Sequence, residues 1–591
     1  MNKIVNHIKQ YRIQILIVIV FIYLQVITDL TLPDYMSRIV NEGIVEGNND
    51  LIVNTGMQML LITLAGACAS IVASYLSAKI ATGLAHDLRL AIFSKVENYS
   101  LTEFDKFSTS SLITRSTNDI QQIQKVSFMF LRIVVSAPIM GIGAIIKANN
   151  TAPSMSWIIA LSVVLLLGTV SLLLVISFPK FKSLQKLIDR LNLVTRENLT
   201  GLRVIRAFTN EKYEEAKFEK ANRKLTTVNL FLNRLMVIIN PALMLILNLA
   251  TLGIFWIGAH LIDNGGLKIG DMLAFMQYTM QVIISFLMLS IMFILIPRAI
   301  VSFTRINEVL ASKPKIRDPN TPKKYSGNVV GKVEFDNVTF FYPNSDIPVL
   351  KNISFVVHPG QTVAIIGSTG SGKSTLVNLI LRFYDVTTGK VLVNNLDVRD
   401  VTQEELHKRI GFVPQKEMLF SGTIKSNIKY GAQDMDNNEV IEVAKTAQAD
   451  EFIMKLEGTY SANVAQCGAN LSGGQKQRLA IARAVAKKPE IYLFDDSFSA
   501  LDFRTDTALR KALRKATSGS TIFIITQRIS TILHADKIIV MDQGIIVGRG
   551  THKQLIKTCP IYKEIAKSQF SEKEMTSTIS NVDKDRKKEK S

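Results

Sequence analysis

At 591 residues the chain exceeds what one ordinary core organises, and its long apolar runs fill the first half while a mixed, charged pattern fills the second, so two domains are expected. The net charge of +20 does not mark a nucleic-acid binder, because the basic residues scatter through loops and a C-terminal stretch without the aromatic interleaving of a stacking groove. Cys68, Cys467 and Cys559 lie far apart and support neither a disulfide framework nor a zinc site.

The first predicted element is a membrane span. Its apolar run, Ile15–Leu32, is too long for the core of a cleavable signal, and no small-residue cleavage pattern follows. Further runs of about twenty apolar residues, enough to cross a bilayer, fall at Met57–Tyr75, Phe128–Ile146, Trp157–Phe178, Met236–Ala259 and Met272–Pro297, making six spans. Lys3, Lys9 and Arg12 precede the first span and put the N-terminus in the cytoplasm. The next connection carries Asp34, Glu42, Glu46 and Asp50 against Arg38, and the one after holds Lys79, Arg89, Lys95, Lys106, Arg115 and Lys125, so the sides alternate.

The two internal connections, Leu76–Val126 and Pro179–Leu235, repeat apolar residues at helical spacing. They are expected to project as helices into the cytoplasm, with EFDKF (Glu103–Phe107) and AFTNEKY (Ala207–Tyr213) at their tips; simple surface helices are the plainer alternative. Ionisable groups are scarce within the spans, which argues against a proton-coupled carrier. Gln25, Asn240, Asn248, Gln277 and Gln281 are polar residues inside spans, read first as interhelical hydrogen-bond partners and second as a cavity lining. Met272, Met276, Met280, Met288 and Met292 drift round a helix rather than forming one stripe, which favours lipid or neighbour packing over a promiscuous pocket.

Residues 1–310 are thus expected to form the membrane domain and 311–330 a linker, where Pro314, Pro319 and Pro322 break helical continuity. Residues 331–570 form the second domain, and 571–591, rich in lysine, glutamate and serine, a disordered tail. VEFDNVTFFY, Val333–Tyr342, alternates as an edge strand does, and Thr362–Ile366 is a buried strand running directly into GSTGSGKST. There Gly367, Ser368, Thr369, Gly370, Ser371, Gly372 and Thr375 build a loop whose backbone N–H groups wrap a triphosphate, while Lys373 meets the outer phosphates and Ser374 faces magnesium. Strand, glycine loop and helix is the order such a loop requires, and the helix N-terminus favours the anion, so ATP and Mg2+ are the expected ligands. Downstream, LSGGQ places Ser472, Gly473, Gly474 and Gln475 at the start of the helical pattern KQRLAIARAVA, as a second phosphate-binding cap. The apolar strand Ile491–Phe494 then delivers Asp495, a carboxylate positioned to hold magnesium directly or through water.

A phosphate loop and an LSGGQ cap on one chain resemble the nucleotide-binding domain of ABC transporters, whose signature is LSGGQ. The resemblance implies that Tyr342 stacks on adenine, that Gln415 in VPQK senses magnesium and the membrane domain, and that Ser499–Asp502 (SALD) forms an inter-subunit loop. Six spans ahead of one such domain are similar, over about Ile15–Phe570, to a type IV exporter half of the multidrug-resistance and lipid-flippase group. The implied fold is an all-α six-helix transmembrane domain followed by an α/β P-loop NTPase. Also implied are a multi-pass cell-membrane protein in contact with lipid, a small hydrophobic or amphipathic substrate, and a second half-transporter whose signature closes over this chain's phosphate loop.

Hydrolytic members of that family carry a glutamate after the magnesium aspartate and a histidine at the switch position, where this chain has Asp496 and Gln527. The shorter carboxylate falls short by roughly 1 Å, a displacement that costs on the order of a hundredfold in rate. An amide hydrogen-bonds but carries no proton or positive charge. AQCG, Ala465–Gly468, replaces the acidic sequence common before the signature. The pattern resembles the degenerate-site subunit of a heterodimeric exporter, with Asp496, Gln527 and Gln415 at the catalytic positions and hydrolysis mainly at the site that LSGGQ completes for a partner. The alternatives are a homodimeric exporter that tolerates both substitutions, a lipid flippase and, from another class, a non-transporting ATP-binding regulator or channel.

Overall fold

The computed structural model describes residues 2–325, 329–343 and 345–570; the tail expected over 571–591 and part of the expected linker lie outside them. The chain divides into two compact units, one comprising Met1–Asn98 and Ser108–Ser312, the other Tyr99–Phe107 and the chain from Lys313 onward.

The first unit is helical throughout its spans. Among the described residues, six helices are long and apolar enough to cross a membrane. They are built on Arg12–Arg38, on Asn49–Glu97, on the helical run Thr109–Thr151 that ends in Val135–Thr151, and on Ser156–Ala207, Glu211–Asp263 and Ile269–Ala311. The second, fourth and fifth of these run for 49, 52 and 53 residues. At about 1.5 Å per residue each is roughly 75–80 Å long, more than twice a hydrocarbon core of ~30 Å. The connections read as helical projections are therefore continuations of the spans. The helix Val135–Thr151 is preceded by Asn118–Met129 and a π-helical segment, Phe130–Val134. That wider turn stands just before Pro138, whose ring excludes regular bonding to the carbonyl of Val134.

Packing between spans relies on small residues and polar ties rather than apolarity alone, since lipid is as apolar as leucine. A Cβ on Gly66 would collide with Thr28 Oγ1, so the first two spans meet closely there. Asp34 on the first span accepts from Lys147 Nζ (2.6 Å) and Tyr278 Oη (2.5 Å), and Asp271 accepts from Ser37 Oγ (2.6 Å).

The second unit is built on a six-stranded sheet. Its strands are β1 Val333–Phe340, β2 Leu350–Val357, β3 Thr362–Gly367, β4 Thr388–Val393, β5 Leu396–Asp397, β6 Ile410–Val413, β7 Gly422–Thr423, β8 Asn463–Val464, β9 Ile491–Asp495, β10 Thr521–Ile525, β11 Lys537–Asp542 and β12 Ile545–Gly550. The six-stranded sheet runs β12-β11-β3-β10-β9-β6, parallel except for β12. Both its faces are buried: along β3, Val363 and Ile365 join one core while Ala364 and Ile366 join the other.

A second sheet, β2-β1-β4-β5, corrects the edge-strand expectation for VEFDNVTFFY. β1 lies between β2 and β4, with Phe335 opposite Phe355 on one side and Val391 on the other. Alternation reports that one face is buried, which an interior antiparallel strand shares with an edge strand. The segment Lys313–Tyr325 also packs with this unit: Lys323 Nζ reaches Asp400 Oδ2 (2.7 Å), and the carbonyl of Arg317 accepts from Arg382 Nη2 (3.0 Å).

Candidate functional site

Parallel strands in one sheet send their C-terminal ends to one edge, and ligands bind in the crevice outside that edge. Here β3 ends at Gly367, β9 at Asp495, β10 just before Thr526 and Gln527, and β6 two residues before Gln415. Register keeps these ends level, with Ile525 opposite both Ile365 and Asp495 and Val413 opposite Phe494. A cleft results, lined by Tyr342, Thr369, Gly370, Gly372, Lys373, Ser374, Thr375, Gln415, Asp495, Asp496 and Gln527 among others.

The loop itself is shaped by its glycines. Gly370 and Gly372 have φ of 83° and 94°, values costly for any residue with a Cβ, and Gly367 lies so close to the carbonyl of Met541 that a Cβ would overlap it. Gly370 has open space before it, so the backbone can approach a ligand directly. Lys373 opens the helix Lys373–Ile380, and its Nζ donates to the carbonyls of Gly367 (3.0 Å) and Ser368 (2.6 Å) and to Ser371 Oγ (3.3 Å). Gly367, Ser368 and Ser371 thus support the ammonium from behind and are not among the cleft-lining residues. Burial pushes the Lys373 ammonium below its ordinary value, against the pull of Asp495 and Asp496.

Ser374 Oγ donates to Asp495 Oδ1 at 3.2 Å. Burial raises the Asp495 carboxyl above the usual carboxylate range against that hydrogen bond, and the neighbouring Asp496 charge raises it further while Lys373 opposes. A hydroxyl and a carboxylate in contact, with the Gln415 amide in the same cleft, are hard oxygen donors. The set fits magnesium, which takes one or two carboxylates and completes its shell with water and phosphate oxygens.

Asp496 is half-buried in a left-handed turn, φ 47°, with its N–H donating to the carbonyl of Ile525 at 2.8 Å. Burial raises its carboxyl too, with Arg528 and Lys373 pulling the other way. Gln527 is exposed, and its Nε2 makes a long contact of 3.5 Å to Thr369 Oγ1 across the cleft. Tyr342 shares a hydrogen bond with Thr375 Oγ1 (3.1 Å) and stands edge-on to Tyr384, with ring centroids 5.2 Å apart.

Ser472, Gly473, Gly474 and Gln475 are not among the residues lining this cleft. Ser472 caps the helix Gly473–Ala486: its Oγ accepts from the Gln475 N–H (3.3 Å), and Gln475 Oε1 accepts from the Ser472 N–H (2.9 Å). Ser472 and Gly473 are exposed at the positive end of that helix.

Three participants were not singled out from sequence. Gln477 is buried, donates to the carbonyl of Asp496 (3.4 Å) and accepts from the Ala500 N–H (3.2 Å), tying the signature helix to the Asp496 turn. A glutamine in helical phase with the buried Ile481 and Ala484 was the available signal. Arg528 Nη2 donates to the carbonyl of Ser499 at 2.8 Å. Gln569 donates to the carbonyl of Gln527 at 2.6 Å from 42 residues away, with no local signal at all.

Comparisons with known proteins agree with this architecture. The ABC transporter transmembrane region matches residues 15–286 and the ABC transporter domain matches residues 350–499. The chain is 41% identical over 567 residues to an uncharacterized ABC transporter ATP-binding protein of Mycobacterium tuberculosis, covering 95% of this chain and 97% of that protein. It is 35% identical to the uncharacterized ABC transporter ATP-binding protein YfiB of Bacillus subtilis, covering 96% and 99%. The solved structure of a bacterial Atm1-family ABC exporter with ATP bound superposes with a TM-score of 0.80 at 27% identity, covering 95% of this chain and 99% of that one.

Proposed function

The chain belongs to the ABC transporter family, as a multi-pass exporter half with its ATP-binding domain after the membrane region, and from that premise we propose that it is the degenerate-site subunit of a heterodimeric exporter. It binds ATP and Mg2+ in the cleft and moves hydrophobic or amphipathic compounds outward, with its N-terminus and nucleotide domain in the cytoplasm. The orientation is supported by Lys3, Lys9 and Arg12 before the first span. The observation that carries the reading is the pairing of an intact phosphate loop with Asp496 and Gln527 on the same cleft.

In this reading Lys373, the loop N–H groups and Tyr342 hold the nucleotide, and Ser374, Gln415 and Asp495 hold the metal. Magnesium, when bound, neutralises phosphate charge as the terminal bond breaks. Asp496 occupies the position from which the attacking water is oriented, on a left-handed turn anchored to Ile525, and its carboxylate is one methylene shorter than a glutamate's. Gln527 offers the terminal phosphate an amide N–H without a charge. Ser472–Gln475, outside the cleft and with Ser472 and Gly473 exposed, is free to close over the phosphate loop of a partner, so the chain contributes to turnover through its signature.

The test is magnesium-dependent ATPase activity of this chain alone in lipid, beside equilibrium ATP binding. Tight binding with negligible turnover supports the proposal; robust turnover abolished by Asp496→Asn refutes it. One observation favours the rival homodimer, namely that burial raises the Asp496 carboxyl, the direction that suits a general base near neutral pH.

A further inference from the structure

The six-helix unit holds a cleft of its own, and its wall is not apolar throughout. Gln25 and Asp29 from the first span and Gln277 and Gln281 from the sixth face it together. Each pair is spaced by one helical turn, so two helices present matched polar edges to one space. Gln281 Nε2 donates to the carbonyl of Asp29 at 3.1 Å, which locks the two edges in register. Its Oε1 is then left buried with no hydrogen-bond partner. The nearby cation, Arg132, spends its Nη1 on Gln25 Oε1 at 3.4 Å, and among the described residues the Asp29 carboxylate is in no ion pair, its companion being the Gln25 side chain. The remaining wall is largely apolar and includes Met140 and Met288, whose unbranched thioethers adapt to varied shapes.

A carboxylate at membrane depth is costly, and the ordinary solution is an opposite charge. Asp29, which no cation offsets among the described residues, and Gln281 Oε1, which has no partner, are both acceptors. We propose that this cleft binds amphipathic cations, with a protonated amine against Asp29 and Gln281 Oε1 and the apolar body along Met140 and Met288. The inference rests on the exporter reading and names its substrate class. Gln25 and Gln281 make the interhelical hydrogen bonds read first for them and, with Gln277, line a cavity as well; Asn240 and Asn248 are not among its lining.

The test uses the full chain in lipid nanodiscs and the fluorescent amine dansylcadaverine beside its N-acetyl derivative, which keeps the body and loses the charge. Wild type should bind the amine more tightly than the acetylated compound. Asp29→Asn should weaken amine binding by roughly tenfold, about 1.4 kcal/mol, and leave the neutral compound unchanged, while Asp29→Glu retains the preference. Equal affinity of wild type for the two compounds overturns the proposal, with no dependence on how any variant folds. Retention of the amine preference by Asp29→Asn overturns it equally, and unchanged binding of the neutral compound certifies that variant's cleft. Binding is read without turnover, so absence of ATP-driven dansylcadaverine uptake into inside-out vesicles carrying the assembled transporter would count against export and not against the site.

Discussion

Asp496 concentrates the chemical question of this molecule in one side chain. Its turn is left-handed, a conformation that aspartate and asparagine tolerate better than most residues, so Asp496→Asn isolates the charge without disturbing the backbone. Restoring reach and charge together, in Asp496→Glu with Gln527→His, should raise the chain's own magnesium-dependent ATPase by at least about tenfold, given a roughly hundredfold cost for a misplaced group. No gain in a phosphate-release assay would mean that the limit lies outside these two positions. A pH effect belongs to residues away from the cleft. His552 is buried against Tyr562, with Nδ1 2.8 Å from the phenol oxygen, and burial holds it below its ordinary value of 6.5. The unfolded chain therefore binds the extra proton first, and this contribution to stability is intact above about pH 6.5 and lost as pH falls through it. Melting curves of wild type and His552→Gln should converge on acidification, and parallel curves would exclude the histidine. At this scale the phosphate loop was legible because its nine residues are contiguous and each type has a mechanical reason. Arg528 and Gln569 were not, because their partners are chosen by the fold.

Helices and strands obey coarser rules, which is why the spans could be read from length and apolarity alone while β1 was misplaced. Alternation states which face is covered but not how many neighbours a strand has. Helix contacts add a similar distinction that sequence hides: Gly56 and Gly66 share the helix Asn49–Glu97, yet only a Cβ at Gly66 meets another helix. Gly66→Leu should therefore lower thermal stability in detergent by about 1–3 kcal/mol, the usual cost of overpacking, while Gly56→Leu changes little. Equal effects would mean that this pair of spans does not pack as described. The short helix Leu101–Phe107, which contains the expected EFDKF tip, groups with the nucleotide-binding unit, where Asp105 Oδ2 accepts from Tyr384 Oη at 3.2 Å. Tyr384 in turn stands edge-on to Tyr342 in the cleft wall. Tyr384→Phe keeps the ring contact and removes the hydrogen bond, so it should leave ATP affinity unchanged and reduce substrate-stimulated turnover severalfold; full stimulation would show that this bond carries no signal.

At the scale of the whole molecule, function in the proposed reading is divided between chains. Ser472→Ala should cut turnover of the assembled pair by roughly tenfold or more while ATP retention in this chain's own cleft stays as in wild type, beyond the ~1 kcal/mol expected for a lost helix cap. A proportional loss of both would place the signature and the phosphate loop in one site. Two domains were legible from the shift in composition, but their actual membership was not. The second unit takes Tyr99–Phe107 from within the span region, with Glu103 buried and its Oε1 accepting from the N–H of Lys315 at 3.3 Å. Domains usually fold as units while the chain is being synthesised, N-terminal first. Here the first piece of the second unit leaves the ribosome some two hundred residues before the rest. Biogenesis must therefore keep an early segment available until its late partner arrives, and a fragment cut at Lys313 would begin life without part of its own surface.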